Sequence, residues 1–351
     1  MSGTALVAGA TGATAARLVE RLLADGWSVV GLCRHPPAAP PGARLAYLQA
    51  DLFDPASCTR ALRAWRGITH VFHAARAKHG ETGVESISEN LAMFACVLDA
   101  VPGIAPDLRH VHLVEGGKWY GLHLGPIATP AREDDPRPAA PNFYHAQEDL
   151  LRERQRGQPW TWSASRPNFL CDYAPGRARN LTSVLGAYAA VLRELGHPLD
   201  FPGSAARWHA LMEVTDATLL ASAMTFLATD PRAANAAFNV TNGDVFRWRD
   251  VWPALARHFG MAVGEVRPVR LEAFMADKDA VWQQAVRRHG LQPSRLADVA
   301  AWAFGDFVFG LDHDIATSTA RLRATGFRES VDSEAMFVGQ LAAYRAARLL
   351  P

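Results

Sequence analysis

The sequence predicts an α/β fold, a doubly wound parallel sheet continuing into a smaller, mainly helical C-terminal part, and three observations predict it. The first is a glycine-punctuated turn, Gly9-Ala10-Thr11-Gly12. It sits between an apolar run (Ala5 to Ala8) and a helix whose buried face is marked by Leu18, Val19, Leu22 and Leu23. The second is the alternation of short apolar strands with helical periodicity, which runs to about Arg166. The third is a change of rhythm beyond Pro175, where helix-period segments dominate and no further glycine turn of this kind occurs.

The opening unit suggests a chemistry. Glycine lets the backbone pass within contact distance of a phosphate, and free N–H groups at the start of the helix meet its charge. Gly9, Thr11, Gly12 and Ala13 are the candidates for that contact, and Ala15 is small enough for the helix to lie close on the strand. Small residues in this spacing also serve plain helix–sheet packing; the position directly after a strand favours a Rossmann-type dinucleotide site. The second strand, Ser28 to Cys33, ends at Arg34, with His35 beside it. About 20 residues beyond such glycines an acid accepts the ribose hydroxyls, whereas an arginine accommodates a 2′-phosphate, so Arg34 points to NADPH.

Pro36 to Gly42 is a Pro/Ala-rich loop, and Ala43 to Gln49 alternates as a third strand. At its end Asp51, beside Leu52, is the candidate for the adenine amino group, while Asp54 before Pro55 reads as a helix cap. Thr69 to Ala75 is the fourth strand; Ala74 and Ala75 would let the backbone run beside the pyrophosphate and ribose. Arg76 to Gly83 is a polar loop at the carboxyl edge of the sheet, where open α/β sheets bind ligands. A helix from Glu89 to Ala100, a fifth strand from Leu108 to Val114 and a sixth from Trp160 to Ala164 complete the alternation. Beyond it come a helix (Leu181 to Leu195), strands at Leu199–Gly203 and Trp208–Val214, a helix (Asp216 to Leu227) and a late strand, Ala237 to Val240. Mostly helix follows, closing with Glu334 to Leu350. Residues 1–175 therefore read as a dinucleotide-binding domain, with segments around 205–245 woven in, and 176–351 as a substrate-binding cap.

Composition narrows the class. A chain of 351 residues with 49% hydrophobic content buries a sizeable core, and a formal net charge of +1 invites neither nucleic acid nor an anionic membrane. Cys33, Cys58, Cys96 and Cys171 show no C-x-x-C spacing and no histidines at metal-finger distances, so they read as reduced thiols, and no metal site is expected. The N-terminus enters a strand at once, without the basic region of a signal peptide, and no apolar run is long enough to span a bilayer. A cytoplasmic protein is expected, and the abundance of Ala, Arg and Pro suggests a GC-rich bacterial source.

Two segments fall where a reductase of this fold places its catalytic groups. One follows the fifth strand, Gly117-Lys118-Trp119-Tyr120; the other, Asn142-Phe143-Tyr144-His145, enters a helix. The Tyr-x-x-x-Lys pair of ordinary short-chain dehydrogenases is missing, because the fourth residue after Tyr144 is Glu148. With these segments the chain resembles the progesterone 5β-reductase/iridoid synthase-like (PRISE) family of atypical extended short-chain reductases. Gly-Ala-Thr-Gly at 9–12, Gly-Leu-Cys-Arg at 31–34, Asp-Leu-Phe-Asp at 51–54 and Thr-His-Val-Phe at 69–72 carry the resemblance. Arg166-Pro167, Phe238 to Asp244 and Trp302 to Asp306 extend it into the second half.

The resemblance implies NADPH-dependent reduction of the C=C bond of α,β-unsaturated carbonyl compounds, with Tyr144 and Lys118 as the catalytic pair. It also places Pro167 and Leu170 beside the nicotinamide. Hydride addition to the β-carbon pushes charge onto the carbonyl oxygen, and a phenol there stabilises the enolate. An ammonium about 4 Å away could bring a phenol of pKa ~10 down to roughly 7 at an effective dielectric near ~20. Lys118 could equally hold ribose hydroxyls. Tyr120 is a rival phenol that reads as packing. Trp119, His145 and Trp208 are candidates for pocket walls, each with a plain core or surface reading beside it. Arg76 stands where members of the family with known substrates carry an aromatic residue, and could meet a carboxylate or phosphate, stack on a ring, or face solvent. Two other functions fit the same motifs: a C=O reductase, and a non-catalytic NADP-binding redox sensor. A small-molecule enone or related carbonyl is the expected partner, and a homodimer stays open.

Overall fold

The computed structural model describes residues 3–38, 44–77 and 85–351. The strand β1 (Thr4–Ala8) has apolar residues buried on both faces and lies at the centre of the sheet, between β2 (Ser28–Cys33) and β4 (Ile68–His73). β3 (Leu45–Gln49) extends the β2 edge; β5 (His110–Val114), β6 (Thr161–Arg166) and a seventh strand, Ala236–Asn239, extend the other. The order is seventh–β6–β5–β4–β1–β2–β3, and every pairing is parallel. Parallel strands need crossovers, and these bring helices onto both faces. α1 (Ala13–Ala24) and the helix Ala217–Thr229 cover one face through Leu18, Leu22, Leu220 and Met224. α2 (Pro55–Leu62), α3 (Ile87–Ala100) and α4 (Phe143–Gln155) cover the other through Cys58, Phe94, Val97 and Leu151. The fold is an α/β fold with a seven-stranded Rossmann-type sheet and a mostly helical C-terminal region.

That C-terminal region has its own core. α5 (Leu181–Glu194) is buried along its length from Leu181 to Leu192, which explains its continuous apolar sequence. Around it gather Trp248, Trp252, Trp282, Phe201, Phe309 and Phe337. The seventh strand returns the chain to the first sheet, so segments far apart in sequence share one layer.

Local capping moves several boundaries from where periodicity puts them. α3 starts at Ile87 because the Ser86 hydroxyl accepts from Glu89 N–H at 3.2 Å. Asp54 caps α2 by accepting from Ala56 N–H, as its place before Pro55 suggests. The expected strand from Trp208 to Val214 is instead a short helix, Ala205–His209, capped by Ser204, followed by the two-residue strand Leu211–Met212. Part of the Pro36–Gly42 loop, the start of the expected third strand at Ala43, and the polar loop beyond Ala77 lie outside the described residues. No helix among the described residues is long and apolar enough to cross a membrane, and no His/Cys/Asp/Glu cluster among them could hold a metal ion.

Candidate active site

Two cavities open along the carboxyl edge of the sheet and meet at Gly12 and at Ala74 to Ala77. One, of about 520 Å³, runs over Gly9, Thr11, Arg34, Asp51, Leu52 and Arg177. The other, of about 470 Å³, runs under Lys118, Tyr144, Pro167, Leu170, Arg179 and Phe307. Together they form one continuous trough.

The first cavity is a backbone construction. Gly9 has φ +78°, and a Cβ on it would lie 2.8 Å from Ala75 Cα and 2.9 Å from Ala75 N, so only glycine fits between strand ends. Its carbonyl accepts from Gly12 N–H at 2.7 Å, which closes the turn into α1. No side chain caps α1, whereas Asp54, Ser86, Asn142 and Asn180 cap α2, α3, α4 and α5. The bare N–H groups of α1 face the trough, which is the donor set a pyrophosphate requires. Ala13 opens α1 and lines the second cavity. Arg34, exposed at the tip of β2, lines the first; His35, also exposed, does not. Asp51 accepts from Phe53 N–H at 3.0 Å and so holds its own turn at the rim. Arg177 reaches across to donate to the Thr11 carbonyl. These residues fit a dinucleotide, with the exposed Arg34 guanidinium at the cavity's edge.

The second cavity is built from side chains brought in by separate elements. After β5 the chain makes a single 3-10 turn, Gly117–Tyr120, that presents Lys118. A Cβ on Gly117 would fall 1.6 Å from Asn168 Oδ1, so any larger residue there would displace the Asn168 side chain. Asn142 caps α4 by accepting from Tyr144 N–H at 2.9 Å, and its amide donates to the Lys118 carbonyl at 2.6 Å. One side chain thus ties the lysine turn to the tyrosine helix. Tyr144 is buried against Phe143 and points its hydroxyl at Gly116, 3.0 Å from where a Cβ on that glycine would be. Phe169 lines the opposite wall with φ +38°, a conformation that L side chains rarely adopt.

The charges are distributed differently from the sequence expectation. Lys118 Nζ donates to both Glu85 oxygens, at 2.9 and 3.0 Å, and lies 5.4 Å from the Phe307 ring centroid. The cation that acts most on the Tyr144 phenol is Arg76, which also approaches Glu85 at 3.7 Å. Burial nonetheless dominates: it pushes the phenol above the ordinary tyrosine value, Glu85 and Glu115 push the same way, and Arg76 only partly opposes them. Glu115 sits at the cavity with one oxygen on Arg166 at 2.7 Å; burial pushes its carboxyl up to about 7 against that pull.

Three residues expected at pocket walls belong elsewhere. Trp119 lies under Arg166, whose guanidinium is 3.5 Å from its ring centroid, and its indole N–H donates to Glu148 at 2.9 Å. His145 packs edge-on to Trp119 and bonds the Trp119 carbonyl through Nε2 at 2.8 Å. Trp208 stacks on Phe201 at 4.8 Å in the C-terminal core. None of the three lines the two cavities. The rival phenol, Tyr120, donates to Asn239 at 2.6 Å and accepts from Arg166, so it is part of that same buried network.

Glu85, Asn168, Arg179 and Phe307 were not singled out in the sequence. Phe304 was, within the string Trp302 to Asp306. Arg179 and Glu85 carry no periodic or motif signal at all.

A profile of the PRISE-like Rossmann-fold domain matches residues 59–351. The chain belongs to that family. Among PRISE-like relatives, an (S)-8-oxocitronellyl enol synthase from Nepeta racemosa is 35% identical over 97% of this chain and 92% of its own. A 3-oxo-Delta(4,5)-steroid 5-beta-reductase from Arabidopsis thaliana is 34% identical over 99% of this chain and 93% of its own. In structure, the UDP-glucose 4-epimerase of Thermus thermophilus, solved with NAD, superposes with a TM-score of 0.67. It is 21% identical over 98% of this chain and 99% of its own, a likeness that speaks to the fold alone.

Proposed function

We propose that this PRISE-like protein is an NADPH-dependent reductase of the C=C bond of α,β-unsaturated carbonyl compounds. The observation that carries the reading is the buried Tyr144 hydroxyl, aimed across Gly116 into a cavity continuous with the Gly9–Gly12 trough. The names of the relatives, a steroid 5-beta-reductase and enol synthases, support it.

In this reading Gly9, Thr11, Gly12 and Ala13 hold the pyrophosphate, and Arg34 the 2′-phosphate, with His35 beside it. Asp51 and Leu52 bound the adenine, and Ala74, Ala75, Pro167 and Leu170 flank the ribose and nicotinamide. Residues 1–175, with later segments woven in, form the dinucleotide part, and 176–351 the cap over the substrate. When bound, NADPH supplies the hydride. Tyr144 stays protonated because burial raises its phenol, so it donates a hydrogen bond to the substrate carbonyl oxygen as negative charge gathers there. The proton that completes the saturated carbonyl product comes from solvent. Lys118, engaged by Glu85, fixes the floor of the cavity and stands ready for ribose hydroxyls rather than charging the phenol. The cation that bears most strongly on this phenol, and so on charge developing beside it, is Arg76.

The test is NADPH oxidation with a small cyclohexenone, followed by product analysis. A saturated ketone is expected. An allylic alcohol would move the protein to C=O reduction, and tight NADPH binding with no oxidation by any enone would move it to a sensor.

A further inference from the structure

Three cationic side chains, Arg76, Lys118 and Arg179, line the cavity beside Tyr144 together with the rings of Phe304 and Phe307. Glu85 is the one carboxylate among the described residues that meets more than one of them: it takes Lys118 at 2.9 Å and Arg76 at 3.7 Å. Arg179 has no carboxylate paired with it among the described residues. It lies over Phe304, with its guanidinium 4.5 Å from the ring centroid. Desolvation is the largest pull on its guanidinium and Arg76 adds to it, against Glu85 and Tyr144; the balance brings it down to about 10. The ring face favours the charged guanidinium, and Arg179 is itself exposed to solvent, but two arginines bordering one cavity repel each other unless something anionic lies between them.

The dinucleotide does not account for this charge. In the enone-reductase reading its phosphates have other partners: the bare N–H groups of α1, which starts where the two cavities meet at Gly12, and Arg34 and Arg177 in the first cavity. Arg179 borders only the second cavity, on the side of Tyr144, Phe304 and Phe307. Arg76 borders both, and it is exposed enough, at 37% of its side chain, to turn toward a ligand.

We infer that the cavity selects enone substrates carrying a carboxylate, which Arg179 and Arg76 grip while the ring or chain of the substrate lies on Phe304 and Phe307. The inference rests on the enone-reductase reading and sharpens it to a substrate class. Planar guanidinium groups pair with carboxylates through two parallel hydrogen bonds, which fixes orientation as well as affinity. A carboxylate held there would set the distance from the anionic end of the substrate to the carbonyl that Tyr144 meets.

The experiment compares two probes on the NADPH-loaded protein: a cyclohexenone bearing a carboxymethyl arm, and its primary amide. The carboxylate is expected to have the higher kcat/KM by about tenfold or more, the yield of a charge-assisted pair over a neutral one. In Arg179→Met that preference should collapse, with Arg179→Lys recovering part of it and the NADPH dissociation constant unmoved within about twofold. Arg76→Met should lower the preference as well, which guards against a folding defect in one variant. Equal reduction of both probes by the natural protein overturns the inference and leaves the reductase reading standing. Loss of NADPH affinity in Arg179→Met overturns it too, since the arginine would then serve the dinucleotide. If neither probe is reduced, the reductase reading fails, and calorimetry with the saturated carboxylate and its amide on the NADP+-loaded protein decides the rest. Tighter binding of the carboxylate, lost in Arg179→Met, upholds the anion site; equal binding overturns it.

Discussion

The two halves of the trough are made by different means. The dinucleotide side is backbone: Gly9 squeezed against Ala75, a closed turn and an uncapped helix, with few side chains taking part. The tyrosine side is an assembly of side chains from positions 76, 85, 118, 144, 168, 179, 304 and 307, delivered by separate stretches of chain except for the last two, which share one helix. A backbone site is set by local sequence and tolerates only glycine at its tight point. A side-chain site is set by the fold, so it can change its charge and its substrate while the trough beside it stays the same.

The sharpest way to break the contrast is Tyr144→Phe. Loss of one oxyanion donor should lower kcat by about 10²–10³-fold while NADPH binding is retained, read by steady-state kinetics beside a fluorescence titration. Unchanged turnover would remove the tyrosine side from the chemistry. Gly9→Val tests the other half: with φ at +78° and Ala75 backbone 2.8 Å from a Cβ, it should weaken NADPH binding by roughly 30- to 150-fold, about 2–3 kcal/mol. Circular dichroism would separate this from unfolding. Retained affinity in a folded Gly9→Val protein would show that the backbone cradle is not the cofactor site.

A smaller effect is expected at Arg34. Arg34→Ala should cut the preference for NADPH over NADH by about tenfold, the scale of one charge-assisted contact to phosphate, measured as the ratio of kcat/KM values. An unaltered ratio would leave the 2′-phosphate with another partner.

The mildest test is a pH profile. Burial, Glu85 and Glu115 raise the Tyr144 phenol and Arg76 lowers it, so the donor form persists through neutral and mildly alkaline solution. The alkaline limb of kcat/KM should therefore lie above about pH 10, the ordinary tyrosine range. Glu85→Gln removes one charge that raises the phenol and releases Lys118, and both changes should move that limb downward. A natural limb near pH 7 would instead mean that the cations around the phenol outweigh its burial.

The same contrast explains what the sequence disclosed. Strand–helix alternation, the Gly9–Gly12 turn and Asp54 before Pro55 are local patterns, and they disclose the parallel doubly wound sheet and the cap of α2, while the return of Ala236–Asn239 to the sheet is non-local. The segments around Lys118 and Tyr144 were legible through family resemblance, and Asn142 brings them together. Their electrostatics were not legible. Glu85 takes the lysine and Arg76 the tyrosine because of where two loops meet, which no spacing encodes. Trp119 and His145 adjoin both segments in sequence yet turn into the Arg166–Glu148 network, since a buried guanidinium needs aromatic faces and acceptors around it.

Phe169 carries a consequence for the evolution of this wall. A side chain held in left-handed backbone costs on the order of 1–3 kcal/mol, and here the surrounding residues must hold it in place. Selection for heat resistance alone would favour relaxing this residue, glycine being the simplest escape. The hardier descendant would lose an aromatic surface facing Phe307 and, with it, discrimination among ligands.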